Sequence, residues 1–149
     1  NYLGYIEEAF LAYKTERYNI KGKDVVAGNC KYYLNDLSFK NFLYPGFAYG
    51  VGYLLENAVY LELRRLGYIV YTGSFRDKEV DFVAMKDDRV IYLQATYMLE
   101  TAQTMEREYA PLLTIGDNYE KYVVSMDEVQ FPSNEGVRHI QAWNLKEIL

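Results

Sequence analysis

Three polar side chains stand where apolar ones would be expected. Glu56 lies at the edge of an apolar helical stripe, and Asp81 and Gln94 lie inside the otherwise apolar runs EVDFVA and IYLQATY. An unpartnered polar group in such surroundings costs free energy, so each of the three calls for a partner. Strand alternation places Gln94 and Thr96 on one face of their run, and Glu79 and Asp81 on one face of theirs. A helix carboxylate, a strand carboxylate and two same-face polar residues can therefore converge on one point. Carboxylates so gathered suit a hard divalent cation, which wants several oxygen ligands. Asp81 is a good ligand and Glu56 a second, but Gln94 offers only a neutral carbonyl and Thr96 no positive charge. Lys78, Arg107 and Lys121 are the cations that could reach such a point from a neighbouring strand or helix, and nothing in the spacing selects one of them.

The elements that must hold these residues are legible around them. Val51, Leu54, Leu55, Ala58, Val59, Leu63 and Leu66 recur at three-four spacing, which predicts one long helix with a single buried stripe, ended by Gly67. Residues 68–72, 80–85 and 90–96 are rich in β-branched and aromatic side chains and read as three strands, the last two joined by the polar turn Lys86-Asp87-Asp88-Arg89. A helix follows over 99–113, with Thr101 or Thr104 as its cap and Pro111 disturbing its final turn; then come strands at 121–125 and 137–142 and a helical turn at 145–149. Upstream, residues 2–13 read as an amphipathic helix, followed by extended runs at 14–19 and 31–34 around the turn Lys21-Gly22-Lys23-Asp24. The glycines and proline of residues 41–52 mark a hinge, which divides the chain into a helix-plus-hairpin appendage over 1–49 and a core over 50–149.

A helix glutamate, a strand, an aspartate on the first hairpin strand, and an acidic residue or glutamine two positions before a lysine on the second is an order that resembles the PD-(D/E)xK nuclease-like superfamily, most closely its Holliday-junction-resolvase branch. Glu56, Asp81 and Gln94 match that pattern, while Thr96 stands where it has lysine. Over nearly its whole length, through YLGYIEEAFLAYK, RYNIKGK, KYYLNDLSF, GYLLENAVYLEL and DNYEKYVVSMDE, the chain also resembles the C-terminal domain of unknown function of prokaryotic AAA-type ATPases. The resemblance implies an α/β, restriction-endonuclease-like fold, a mixed sheet flanked by helices, with a winged-helix-like remnant in the N-terminal helix and hairpin. It implies a recognition or regulatory domain with a degenerate site, whose partners are its own N-terminal ATPase domain and nucleic acid. ATP would bind in that other domain. Magnesium or manganese enters only under the alternative of an active nuclease with a relocated lysine, and a protein-interaction or oligomerisation module is the third reading.

Bulk composition narrows the field. At 149 residues and 50% hydrophobic the chain can bury an ordinary core, and a net charge of −5 argues against broad binding to polyanions. Lys14, Arg17, Lys21, Lys23 and Lys31 form the one locally basic zone and are the candidate phosphate contacts, interrupted by Glu16 and Asp24. The single cysteine excludes an internal disulfide, and the lack of a signal-like or membrane-length segment points to the cytoplasm. Seventeen tyrosines suit core-edge packing first and base stacking second. Glu62 reads as a partner for Arg65, Glu106 and Glu108 as solvated, and His139, the sole histidine, as structural, with no Ser/His/Asp constellation to be argued around it.

Overall fold

A computed structural model describes residues 2–43, 45–46 and 50–149. Its elements in chain order are α1 (Tyr2–Glu8), β1 (Ala12–Asn19), β2 (Asp24–Leu34), α2 (Ser38–Leu43), α3 (Val51–Arg65), β3 (Ile69–Phe75), β4 (Lys78–Lys86), β5 (Arg89–Ala95), α4 (Ala102–Leu113), β6 (Glu120–Ser125), β7 (Val137–Gln141) and a terminal 3-10 turn, Ala142–Glu147. All seven strands join one mixed sheet in the order β2-β1-β3-β4-β5-β6-β7. The hairpins β1/β2, β3/β4 and β4/β5 are antiparallel, while β1/β3, β5/β6 and β6/β7 run parallel.

The stripe expected along the central helix is the face that α3 buries. Leu55, Val59, Tyr60 and Leu63 pack on one side of the sheet against Val70, Phe82, Ala84, Leu93 and Val124. Leu63 is fully buried, which is worth about 1.5–3 kcal/mol for such a side chain. Gly67 closes the helix with φ +88, a conformation glycine adopts without strain. The strand residues of opposite parity, Val83, Tyr92 and Val123, pack on the other side with Tyr109 and Leu112 of α4. Thr101 caps α4, its Oγ1 accepting from the Thr104 amide at 3.0 Å. Among the described residues no helix is long and apolar enough to cross a membrane.

The N-terminal segment departs from the sequence reading. The helix expected over residues 2–13 stops at Glu8, because Phe10 takes φ +55 and Ala12 and Tyr13 are drawn into pairing with Leu34 and Tyr33. No residue of α1 is buried, so its apolar stripe does not dock on the core. The hairpin of residues 12–34 lies in the same sheet as the core strands: Arg17, Tyr18 and Asn19 pair in parallel with Thr72, Gly73 and Ser74. The side-chain amide of Asn57 fastens it further, accepting from the Leu34 amide at 2.8 Å and donating to the Leu34 carbonyl at 2.9 Å. The hinge expected over 41–52 falls partly on residues 44 and 47–49, outside the described ones, and its first residues belong to α2.

One irregularity positions the site. Between Tyr71↔Val83 and Gly73↔Val80 the β3/β4 register shifts, so β4 carries an extra residue there. Such a bulge re-aims side chains and recurs beside functional sites. Val80 joins the α4-side core and Phe82 the α3-side core, with Asp81 between them at the turn of the strand. Gly73 faces this bulge at a place where a Cβ would lie 2.8 Å from Val83 Cγ2 and 3.0 Å from both Val80 Cβ and Ile20 Cδ1.

Candidate functional site

Glu56, Asp81, Gln94 and Thr96 line one cleft of about 470 Å³, together with Gly50, Gly52, Tyr53, Glu79, Arg107 and Glu108. The convergence expected from alternation and helical spacing is therefore present. Glu56 projects from α3 toward the sheet, and its Oε1 accepts from the Tyr33 hydroxyl at 2.7 Å and from Lys31 Nζ at 3.0 Å. Asp81 Oδ1 lies 3.5 Å from the same Nζ, and Glu79 Oε1 lies 2.9 Å from it. The ammonium of Lys31 thus stands among three carboxylates. Its length lets it reach them from β2, just after the irregular stretch where Thr15 pairs with Lys31 but Arg17 already pairs with Val26.

Asp81 and Gln94 also complete the sheet where its backbone ladder stops. The β4/β5 pairing ends at Phe82↔Leu93. Beyond it the Asp81 amide donates to Gln94 Oε1 at 2.6 Å, and Asp81 Oδ2 accepts from the Ala95 amide at 3.0 Å. Each side chain therefore stands in for a backbone partner that the β4/β5 ladder no longer supplies. Gln94 Nε2 faces Glu108 Oε2 at 3.4 Å, and Glu108 in turn holds Arg107 at 2.7 Å. Thr96 is buried at the cleft wall, its amide bonded to the Val124 carbonyl.

The charges of the site are mutually adjusted. Burial, followed by the neighbouring Glu56 carboxylate, pushes the Asp81 carboxyl up to about 7 against the opposing pull of Lys31 and the Ala95 amide. Desolvation works against a charged Lys31, yet Asp81 and Glu56 together hold its ammonium above the ordinary lysine range. Partial burial raises Glu79, but its bonds to Lys31 and Arg17 outweigh that and leave it below the usual carboxylate value. Burial and the Glu56 charge push the Tyr33 phenol far above its ordinary range, so it remains a donor to Glu56.

The cations sort differently from their sequence grouping. Of the three expected as sources of a missing charge, only Arg107 lines the cleft; Lys78 lines a separate cavity beside α4, and Lys121 is bound to Asp117 and to the Asp117 and Tyr119 carbonyls. The cation at the carboxylates is Lys31, which the sequence grouped with the basic zone. Arg17 is likewise turned inward, onto Glu79 Oε2 at 2.8 Å. Lys14, Lys21 and Lys23 are exposed at the surface. Glu108, expected in solvent, is 7% exposed and bonded within the site, whereas Glu62 pairs bidentately with Arg65 as expected. Nothing local marks Lys31 or Glu108 as site residues; the parallel pairing of β1 with β3 and the seat of α4 bring them in.

As arranged, the donors do not fit a divalent ion. The ammonium occupies the point between Glu56 and Asp81, the Gln94 carbonyl oxygen is committed to the Asp81 amide, and among the described residues no group of three His, Cys, Asp or Glu side chains is set to hold a metal.

Ser125, Asp127 and His139 also come together, correcting the expectation that the histidine stands apart from any such group. Ser125 Oγ lies 2.6 Å from Asp127 Oδ2 and 2.8 Å from His139 Nε2, all three residues being buried. His139 Nδ1 accepts from the Phe131 amide at 3.2 Å. That nitrogen must carry the lone pair, so Nε2 carries the proton and donates to the serine, whose hydroxyl donates on to the carboxylate. A nucleophilic serine needs the opposite polarity, with the imidazole accepting its proton. The bonding is therefore not that of an activated serine.

No protein-family model matches the chain, and no solved structure matches it. An uncharacterized protein of Haemophilus influenzae (strain Rd) is 36% identical over 124 residues, which is 83% of this chain and 30% of that protein. An uncharacterized protein of Methanocaldococcus jannaschii is 32% identical over 112 residues, 72% of this chain and 24% of that protein. The chain spans under a third of the length of either relative.

Proposed function

We propose that this domain is the C-terminal recognition or regulatory module of a longer AAA-type ATPase, built on a restriction-endonuclease-like fold whose nuclease-like site is degenerate. The observation that carries this reading is the Lys31 ammonium, 2.9–3.5 Å from Glu79, Glu56 and Asp81 oxygens, where a nuclease would keep a divalent ion. The reciprocal bonding of Asp81 and Gln94 across the β4/β5 gap supports it, since both side chains serve the sheet. The small fraction of each relative that the chain spans is in keeping with a module of a larger protein. Its partners are then the ATPase portion and, through Lys14, Lys21 and Lys23, nucleic acid. ATP binding belongs to the ATPase portion.

A second reading rests on the same contact. Lys31 would be the relocated lysine of an active nuclease, drawn onto the acids while no substrate is present, and an Asp81 carboxyl near neutrality suits proton handling. One assay separates the two: cleavage of plasmid and branched DNA in magnesium or manganese by the parent, Asp81→Asn and Lys31→Met proteins at matched purity. No cleavage by any of them is the expected result. Cleavage by the parent that both substitutions abolish would overturn the degenerate-site reading in favour of the second.

A further inference from the structure

The eleven residues between β6 and β7, 126–136, run alongside α4 with a single isolated bridge, Asn134↔Val137, and His139 ties down their middle. Its Nδ1 accepts from the Phe131 amide, its carbonyl accepts from Gln130 Nε2, and the Phe131 ring stacks edge-on against its imidazole at 5.0 Å. Through Ser125 the imidazole is linked to Asp127, whose Oδ2 also accepts from the Leu99 amide at 2.8 Å, just ahead of the α4 cap. Gln141 holds the Asp127 and Glu128 carbonyls from β7. The strap closes one wall of a cavity of about 670 Å³, where Phe131, Pro132, Ser133 and Asn134 face Met105, Tyr109 and Leu113 of α4.

We propose that His139 is an acid-released latch: protonation of its imidazole frees the stretch around Phe131 from β7, while Gln141 and the Asn134–Val137 pair keep the two ends of the strap in place, and so opens the cavity beside α4. The reason is one of donor counting. In the neutral ring Nδ1 is an acceptor for a backbone N–H; in the imidazolium both nitrogens are donors, so two N–H groups face each other and the Phe131 bond is lost. Nε2 is already the donor to Ser125, so the charged ring gains no new bond on that side, only a stronger attraction to Asp127.

The charged and titratable groups around the latch are few. Asp127 on the strap favours the imidazolium, Tyr109 on α4 lies within the field of Asp127, and Glu106 of α4 and Lys78 of β4 line the cavity farther out. On β7 the adjacent Arg138 is engaged with Glu120 and Tyr122. Burial outweighs Asp127 and lowers the imidazole from its ordinary value of 6.5, so release comes below that value. For a base lowered in the folded state, the bond is intact above that ordinary value and is lost as pH falls through the folded one.

Because α4 carries Arg107 and Glu108 to the carboxylate cleft on one face and Met105 and Tyr109 to this cavity on another, freeing the strap loosens the element that the two share. The latch is independent of whether the cleft is degenerate.

The test is residue-resolved hydrogen exchange by NMR from pH 7.5 to 5, with the imidazole nitrogens followed in the same samples. The neutral ring should show the Nε2–H tautomer. Protection of the Phe131 amide, taken relative to Val124 in β6, should fall by several-fold, up to about tenfold, as the ring titrates, the effect of one lost hydrogen bond between neutral groups. Asp127→Asn, which keeps the size of the side chain and removes its charge, should move both the ring titration and the loss of protection to lower pH together. An Nδ1–H tautomer, a ring that titrates without loss of Phe131 protection, or global unfolding before any selective loss would each overturn the proposal.

Discussion

Replacing Lys31 with methionine keeps the aliphatic stem and removes the ammonium that Glu56, Glu79 and Asp81 share. Removing one partner of a fully buried ion pair costs about 3–5 kcal/mol, because the remaining charge is left uncompensated. Lys31 is 29% exposed and Glu56 and Asp81 are 13% and 16% exposed, so the site is largely but not wholly shielded from water. Solvent screening brings the expected loss to ~2–3 kcal/mol at pH 8. For a domain of this size that is a fall in melting temperature of roughly 5–10 °C. The loss must depend on pH. Without Lys31 the carboxylates take up protons in the folded state that the unfolded chain does not bind, so the variant's stability declines as pH rises and the gap to the parent shrinks toward pH 5. Urea denaturation of both proteins at pH 5, 6.5 and 8 measures this directly, provided the denaturant slope is unchanged. A loss below ~0.5 kcal/mol at pH 8, the range of an ordinary surface substitution, or one of equal size at pH 5, would refute the assignment of Lys31 as the site's cation.

Asp81→Asn should flatten the parent's stability profile: the folded carboxyl sits near 7 against an ordinary 3.8, so its contribution is fully present below 3.8 and lost as pH rises through 7, and denaturation across that window should show the slope only in the parent. Gly73→Ala should destabilise by about 1–3 kcal/mol in thermal melts, since the added methyl meets Val83, Val80 and Ile20 at 2.8–3.0 Å inside a packed bulge. Asn57→Ala should cost about 1–2 kcal/mol and raise hydrogen exchange at Leu34, because it leaves a half-buried strand amide and carbonyl without their partner.

Why Glu56, Asp81 and Gln94 could be found from sequence while Lys31 and Glu108 could not is a matter of range. The stripe through Leu55, Val59 and Leu63 is a local periodicity that places Glu56 at its sheetward edge, and Asp81 and Gln94 each interrupt a short apolar strand. A polar residue in an apolar run announces itself at its own position. A lysine in a polar hairpin does not. The seat of Glu108 was equally hidden, since α4 presents Glu106 and Glu108 with nothing in their neighbours to separate the solvated one from the buried one. The aspartate and histidine of the latch lie two and fourteen residues from Ser125, the histidine brought in by parallel pairing of β6 with β7 at Val123↔His139 and Ser125↔Gln141.

By itself the sequence determined what short-range chemistry determines: the long helix and its glycine stop, the β4/β5 hairpin, the cap on α4, and three polar residues that had to find partners. The tertiary structure alone decided who those partners are. Lys31 reaches Glu56 across 25 residues and Asp81 across 50, a meeting that exists only because β1 lies parallel to β3 and carries β2 over the end of α3. Non-local strand pairing has no signature in local composition, since its stability comes from burial that appears only once the sheet is assembled.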